Sequence, residues 1–551
     1  MKRPCLQFTV LFFLFGFAAA LVQAQPASPP KLTVVIAVDQ MRPDHLTRFE
    51  KLYEHGFARL GKEGAVFLNA HQYHAQTATG PGHASISSGS YPSRSGVVGN
   101  NWFDRVTGKY VYCSEDLTVR PVGEKSDTKS PGRSPRQMRT DDLGVWLKKA
   151  HRRAKVFGVG RKDRAATLMG GGKADAAYWY SGSTGNMISS TYYMKSYPKW
   201  VDDFNAAHML DQYFDKGWQK LLPDEAYELA REDEYPYEAD GKNTTFPHLF
   251  NKTKDKPDGS FYGRLAGTPF TDEYVLKFAV ELIKNEGLGA DDVPDLLFVG
   301  CSAADGVGHS YGPFSQESMD HFLRLDRYLG EFFAFLDEKI GVENYIVALT
   351  SDHGVLPLPE ELKRRGVDAE RVNSVNLREK LGSITEEVGE ELGVKEKLIL
   401  GMSGNGVLLN YDAAKPYNVS KPRLDEVFAE KLKALEEIDD VFTKAELESN
   451  KASDRPYIEL YRNSYHKERT GDLMLRFKKH RLVSGQYGTS HGSPYEYDTN
   501  VPIVFWGKGI QAKQDAKEIK TVDIAPTLAE LLQVKVRGKI DGESVAGSIS
   551  K

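Results

Sequence analysis

The sequence predicts an α/β fold: a central, mostly parallel sheet flanked by helices, with insertions that cap it. Two observations carry that expectation. Short apolar, β-branched runs recur at Thr33 to Val38, Val156 to Val159, Leu296 to Val299, Tyr345 to Leu349, Val407 to Asn410 and Val501 to Trp506. Helical patterns such as Asp272 to Lys284 and Ser318 to Leu336 fall between them, and this alternation is what a parallel sheet covered on both faces produces. The second observation is where three of the runs lead: into Asp39, into the stretch Cys301 to His309, and into Ser351-Asp352-His353. Open α/β sheets bind their ligands beyond the C-terminal ends of the strands.

The chain has 551 residues, 40% hydrophobic and 27% charged, enough for one large domain with insertions and a sizeable core. Its formal net charge is -4 and it contains no long basic run, which argues against nucleic acid as a partner. Lys2 and Arg3 precede the apolar stretch Leu6 to Val22, and Val22-Gln23-Ala24 offers a cleavage site, so residues 1–24 read as a signal peptide. The expected location is periplasmic or secreted, with no stable membrane anchor, because no second stretch is long enough to span a bilayer. Residues 25–30 read as a linker and 31–551 as the catalytic domain.

Two stretches read as insertions, at about 176–271 and 370–481. The first is rich in Tyr, Trp, Asp and Glu and poor in strand signals; the second is charged and partly helical, as in Leu424 to Glu437. Both interrupt the chain between the polar pieces, so they are expected to cap a site, although solvated decoration explains the second equally well. Once Cys5 leaves with the signal peptide, Cys113 and Cys301 remain, too few for a disulfide scaffold or a thiolate metal site. One bridge between them is allowed in an oxidising compartment, but sequence supplies no distance. Nor does it supply an oligomeric state; a monomer is the simplest expectation.

Asp39, Asp305, His309, Asp352, His353 and His491 offer three carboxylates and three imidazoles. That is too many for one tetrahedral zinc and suits two. Asp352 and His353 can meet one ion from a single turn, and Asp305 and His309, four apart, can meet another if their loop is helical. Between these pieces, Thr77-Ala78-Thr79-Gly80-Pro81-Gly82-His83 puts hydroxyls on a glycine-bracketed turn. A free alcohol scarcely ionises at neutral pH; a metal contact or the positive end of a helix beginning near Pro81 would activate it. The residues alone leave Thr77 and Thr79 both open, and leave Thr79 open as a mere helix cap. His83 reads as a packing histidine, not a ligand. Lys162 and Arg164, if on an extended strand, point the same way and can reach one anion together; taken alone they read more readily as a solvated charge cluster.

These motifs resemble the alkaline phosphatase superfamily, and within it the PafA-type phosphate-insensitive periplasmic alkaline phosphatases, from Lys31 to about Ser544. The family's Thr-Gly-Pro-Gly-His followed by an asparagine is matched by Thr79 and Asn100, 21 positions apart, which selects Thr79 over Thr77. Val522-Asp523-Ile524-Ala525-Pro526-Thr527-Leu528, with Asp541-Gly542 after it, resembles the superfamily's C-terminal signature. The resemblance implies an alkaline-phosphatase-like fold and two Zn2+ per chain. Asp39, Asp352 and His353 would hold the ion beside Thr79, itself a subsidiary ligand, and Asp305, His309 and His491 the other. It further implies hydrolysis of small-molecule phosphate monoesters through a phosphothreonine, with Asn100, Lys162, Arg164 and a backbone N–H near Thr79 on the phosphoryl oxygens. Relatives that cleave diesters generally lack the Lys/Arg pair, so a zinc phosphodiesterase or nucleotide pyrophosphatase is the alternative. A sulfatase is a less favoured relative, and a non-catalytic binding protein would not need the nucleophile.

Overall fold

The computed structural model describes residues 28–123, 131–251, 255–449 and 451–550; the expected signal peptide lies outside them. An 11-stranded sheet forms the centre. Its labelled strands are β1 (Leu32–Val38), β2 (Ala65–His71), β3 (Val156–Gly160), β4 (Ala176–Tyr180), β5 (Met187–Ser190), β6 (Asp295–Cys301), β7 (Tyr345–Thr350) and β8 (Asn500–Gly507). They run in the spatial order β2-β8-β7-β1-β6-β3-β4-β5, with short strands at both edges. The inner five, β7 to β4, are mutually parallel. Each is buried on both faces, which is why they read as unbroken apolar runs.

The pleat divides the core into two layers. Val34, Ile36 and Val38 pack with Leu297, Val299, Val347 and Leu349 under helices α4 (Phe270–Glu286) and α6 (Gln316–Lys339). Val35 and Ala37 face the other way, with Phe298, Ala348 and Phe505, under α2 (Leu143–Ala150) and α7 (Ile524–Leu531). Two more helices, α1 (Thr79–Ser88) and α3 (Asp163–Gly170), stand on the C-terminal side, and α5 (Ala303–Tyr311) follows β6 directly.

Three expectations need correction. The run Val501 to Trp506 lies in β8, which pairs antiparallel with both β7 and β2, so this strand is an exception in a mostly parallel sheet. Val407 to Asn410 is not in this sheet at all: Gly406–Leu409 belongs to a separate four-stranded sheet with Ile399–Ser403, Ile438–Thr443 and Leu473–Phe477. A short apolar run is silent about its partners. And residue 176 is no insertion boundary, because β4 and β5 extend the central sheet; the excursion begins after Ser190.

The stretch from about 370 does form a unit with its own core, where Val388, Leu398, Val407, Phe428 and Leu475 meet. Its two ends pair in parallel, Glu370 with Arg481 through Asn373 with Ser484, so it leaves and re-enters the chain at one place.

Candidate functional site

The site lies along the C-terminal ends of β1, β3, β6 and β7. Asp39 and the pair Asp352–His353 follow adjacent strands β1 and β7, and all three are fully buried. His353 Nε2 lies 3.4 Å from Asp39 Oδ1 and 3.3 Å from Asp352 Oδ2. Across from them, Asp305 and His309 occupy successive turns of α5, as the four-residue spacing requires of a helix, with His309 Nε2 3.2 Å from Asp305 Oδ1. His491 arrives from a distant loop, its Nε2 3.6 Å from the same oxygen.

The histidines are aimed. The Nδ1 atoms of His309, His491 and His353 lie 2.7, 2.7 and 2.9 Å from the carbonyl oxygens of Thr489, Thr77 and Gly354. Each Nδ1 therefore donates to backbone, which leaves the Nε2 lone pair facing the carboxylates, the arrangement typical of metal-ligating histidine. Asp305 with His309 and His491, Asp39 with Asp305 and His353, and Asp39 with His83 and Asp352 each bring ligand atoms within 4.8 Å of one another. Asp39 Oδ1, Asp352 Oδ2 and His353 Nε2 are buried and make no hydrogen bond. Buried acceptors of this kind fit metal ions, which need such lone pairs and bring the charge that offsets their burial.

Thr79 opens α1, with Ala78 in the capping position, so its hydroxyl is not used as a helix cap. Lys162 Nζ and Arg164 Nη2 each lie 3.2 Å from Thr79 Oγ1. Thr77 is spent elsewhere: its hydroxyl donates to Ser493 O at 2.9 Å and its carbonyl receives His491. Close packing of α1 on the end of β7 depends on Gly82, where a Cβ would fall 2.2 Å from Asp352 O. Asn100 Oδ1 accepts the Gly80 N–H at 2.8 Å, so one of the backbone donors near Thr79 is already engaged.

Lys162 and Arg164 do converge, but not by strand alternation. β3 ends at Gly160, Lys162 caps α3 and Arg164 sits in its first turn. The strand-to-helix turn brings both tips to one point, and Tyr112 Oη, 3.1 Å from Arg164 Nη1, steadies the guanidinium. Lys162 Nζ is also 2.6 Å from Asp39 Oδ2 and from Asp305 Oδ2, joining the two ligand clusters.

Burial and the charge of Asp352 push the Asp39 carboxyl up. Burial opposes ionisation of Asp305 and Asp352 too, but His309 with Lys162 holds Asp305 well below the usual carboxylate range, and His83 holds Asp352 below it. Burial, then His491, drives His353 well down, toward the neutral ligating form. His83 donates from Nδ1 toward Thr79 O at 2.9 Å and lies 3.2 Å from Asp352 Oδ2, a supporting position beneath both.

Gln40 was not legible as a site residue. It adopts a left-handed backbone (φ 67°), which sends its N–H to Asp352 Oδ1 and its side-chain amide to Asp305 Oδ1, both at 3.1 Å. The only signal for it was its place directly after Asp39. Cys113 and Cys301 are both buried and free; burial pushes the Cys113 thiol up to about 12.

Both excursions touch this centre. Gly488 donates to Tyr237 O at 2.8 Å and Ala239 to Ser310 O at 2.7 Å, from the first; Asn405 donates to Gly492 O at 3.0 Å, from the second. No helix among the described residues is long and apolar enough to cross a membrane.

Comparison with known proteins follows the same outline. A family model described as type I phosphodiesterase / nucleotide pyrophosphatase matches residues 33–499. The chain is 35% identical over 531 residues to a Myroides odoratus protein named calcium-transporting ATPase, covering 94% of each. It is 34% identical over 549 residues to alkaline phosphatase PhoV of Synechococcus elongatus, covering 97% of each. It is also 34% identical over 538 residues to alkaline phosphatase PafA of Elizabethkingia meningoseptica, covering 95% of each. The crystal structure of wild-type PafA matches with a TM-score of 0.88 at 31% identity, over 96% of this chain and 100% of that one.

Proposed function

We propose that this chain, which belongs to the type I phosphodiesterase / nucleotide pyrophosphatase family of the alkaline phosphatase superfamily, hydrolyses phosphate monoesters as an alkaline phosphatase with Thr79 as its nucleophile. The observation that carries the reading is the convergence of Lys162 Nζ and Arg164 Nη2 on Thr79 Oγ1, each at 3.2 Å. Two fixed cations beside one hydroxyl favour a monoester dianion over a diester monoanion, because the dianion has one more charge and one more free oxygen to bind.

Thr79, its proton given up to solvent, attacks phosphorus in line as the ester oxygen departs and takes a proton from water. Lys162 lies within reach of Thr79 Oγ1 and favours its ionised form, while the positive end of α1 adds to the same field. Lys162, Arg164 and the amide of Asn100 bind the non-bridging oxygens, whose charge is fully developed in a loose transition state. Water then cleaves the phosphothreonine, freeing inorganic phosphate and restoring the hydroxyl. Two zinc ions, one held by Asp39, Asp352 and His353 beside Thr79 and one by Asp305, His309 and His491, supply when bound the Lewis acidity that both oxygens need. Export by residues 1–24 to the periplasm or beyond completes the reading.

Zinc phosphodiesterase activity is the second reading, favoured by the description of the matching family model. Metal analysis of the purified chain combined with kcat/KM on matched aryl mono- and diesters decides between them. About two zinc ions and a strong monoester preference are expected; a diester preference, or one tightly bound metal, overturns the proposal.

A further inference from the structure

One cation next to Lys162 in the chain is used by neither ligand cluster. Arg161 follows β3, its N–H donating to Gly300 O at 3.1 Å. Its guanidinium lies over the first turns of α5, where a Cβ at Gly306 would stand 3.8 Å from Nη2. The cations around it are matched. Lys162 faces Asp39 and Asp305, Arg133 pairs with Asp163, and Arg164 is held by Thr79 and Tyr112. Among the described residues, the partly buried Arg161 side chain makes no hydrogen bond or ion pair.

Arg161 borders a cavity of about 450 Å³ whose walls include Arg133, Lys162, Arg164, Trp179 and Ser181. That volume falls in the range of small-ligand sites, roughly 300–1,000 Å³, and exceeds what a bare phosphate fills. The cavity begins at the two side chains that touch Thr79 Oγ1, and Arg161 flanks the helix that carries Asp305 and His309. The buried Asp272 carboxyl feels the Arg161 charge without pairing with it, so the guanidinium keeps its donors free, and its planar fork suits a phosphate or carboxylate.

We infer that Arg161 and this cavity bind a second anionic group, phosphate or carboxylate, of a phosphate monoester. The inference rests on the monoesterase reading and narrows it to substrates whose alcohol portion is itself an anion.

The test is kcat/KM of the zinc-loaded full chain for phenyl phosphate, 3-carboxyphenyl phosphate and 1,3-phenylene bisphosphate. In parallel, calorimetry measures binding of benzylphosphonate and its 3-carboxy derivative. For Arg161→Ala the anionic-to-neutral ratio of kcat/KM is expected to fall by about tenfold or more, the worth of one charge-assisted contact, and the phosphonate affinity ratio to fall with it. Arg161→Lys should recover part of the loss. The two anionic esters separate a carboxylate site from a phosphate site. Ratios that stay the same in Arg161→Ala overturn the inference and leave Arg161 a solvated cation. If the native chain cleaves none of the esters, the monoesterase reading fails, and the phosphonate affinities still decide whether Arg161 selects an anion.

Discussion

The two halves of the ligand set are built differently. Asp39, Asp352 and His353 extend from neighbouring parallel strands, in a register that pairs Ala37 with Thr350, and each is 0% exposed. Asp305, His309 and His491 come from a helix and a loop, and both of these histidines are partly exposed. The loop carrying His491 is tied to α5 by few bonds: the Thr489 N–H donates to His309 O at 2.8 Å while His309 Nδ1 meets Thr489 O. Moving a strand-borne ligand means breaking a ladder of buried hydrogen bonds, whereas a loop opens locally at a fraction of the global stability. The sheet thus supplies a buried floor, and the helix and loop supply a more exposed wall.

Thr79 stands where the two halves meet, so its loss should erase function while sparing both. Thr79→Ala is expected to lower monoester turnover by on the order of 10⁴-fold or more, with zinc content nearly intact. Steady-state kinetics with metal analysis checks it; trapping at low pH that labels Thr77 instead would overturn the assignment. Lys162 binds carboxylates of both halves, so Lys162→Ala combined with Arg164→Ala probes their junction. Monoester kcat/KM should fall by roughly 10²–10⁴-fold, and matched diester kcat/KM far less. Equal losses would mean that the cations support the site without selecting the dianion.

The comparison itself is sharpened by removing one histidine from each half. His491→Ala should reduce zinc from about two to about one per chain with little change in Tm, whereas His353→Ala should lower metal content and Tm together. If the two variants melt alike, the distinction between floor and wall is wrong. The smallest effect belongs to Asp272, which anchors α5 from below by accepting the Ala303 N–H at 3.0 Å. Burial pushes its carboxyl up to about 7 from 3.8. A raised folded pKa means that its contribution is fully present below about pH 3.8 and is lost as pH rises through 7. Asp272→Asn should therefore stabilise the chain at pH 8, by on the order of 1 kcal/mol, and progressively less toward pH 4. Melting curves across that range would show a constant difference if the carboxyl were ionised throughout.

The inner strands, the covering helices and the residues that end the strands were legible, because burial on both faces writes apolar runs and a helix writes its period into its ligands. Asp305 and His309 are the plainest case, since their spacing required the helix that α5 provides. Gln40 was not legible, because its role depends on a left-handed backbone that no neighbouring residue demands. Nor was the way Lys162 and Arg164 converge: they meet at Thr79 through a strand-to-helix turn, a geometry that spacing alone could not distinguish from strand alternation. Local sequence determines periodicity, burial and the chemistry at each strand end, for these follow from neighbours within one or two turns. Only the tertiary structure decided which strands are antiparallel, that Val407 belongs to another sheet, and that His491 faces Asp305 across 186 residues. Those are contacts between distant segments, set by how whole faces pack, and no short stretch of the chain carries the energy that chooses them.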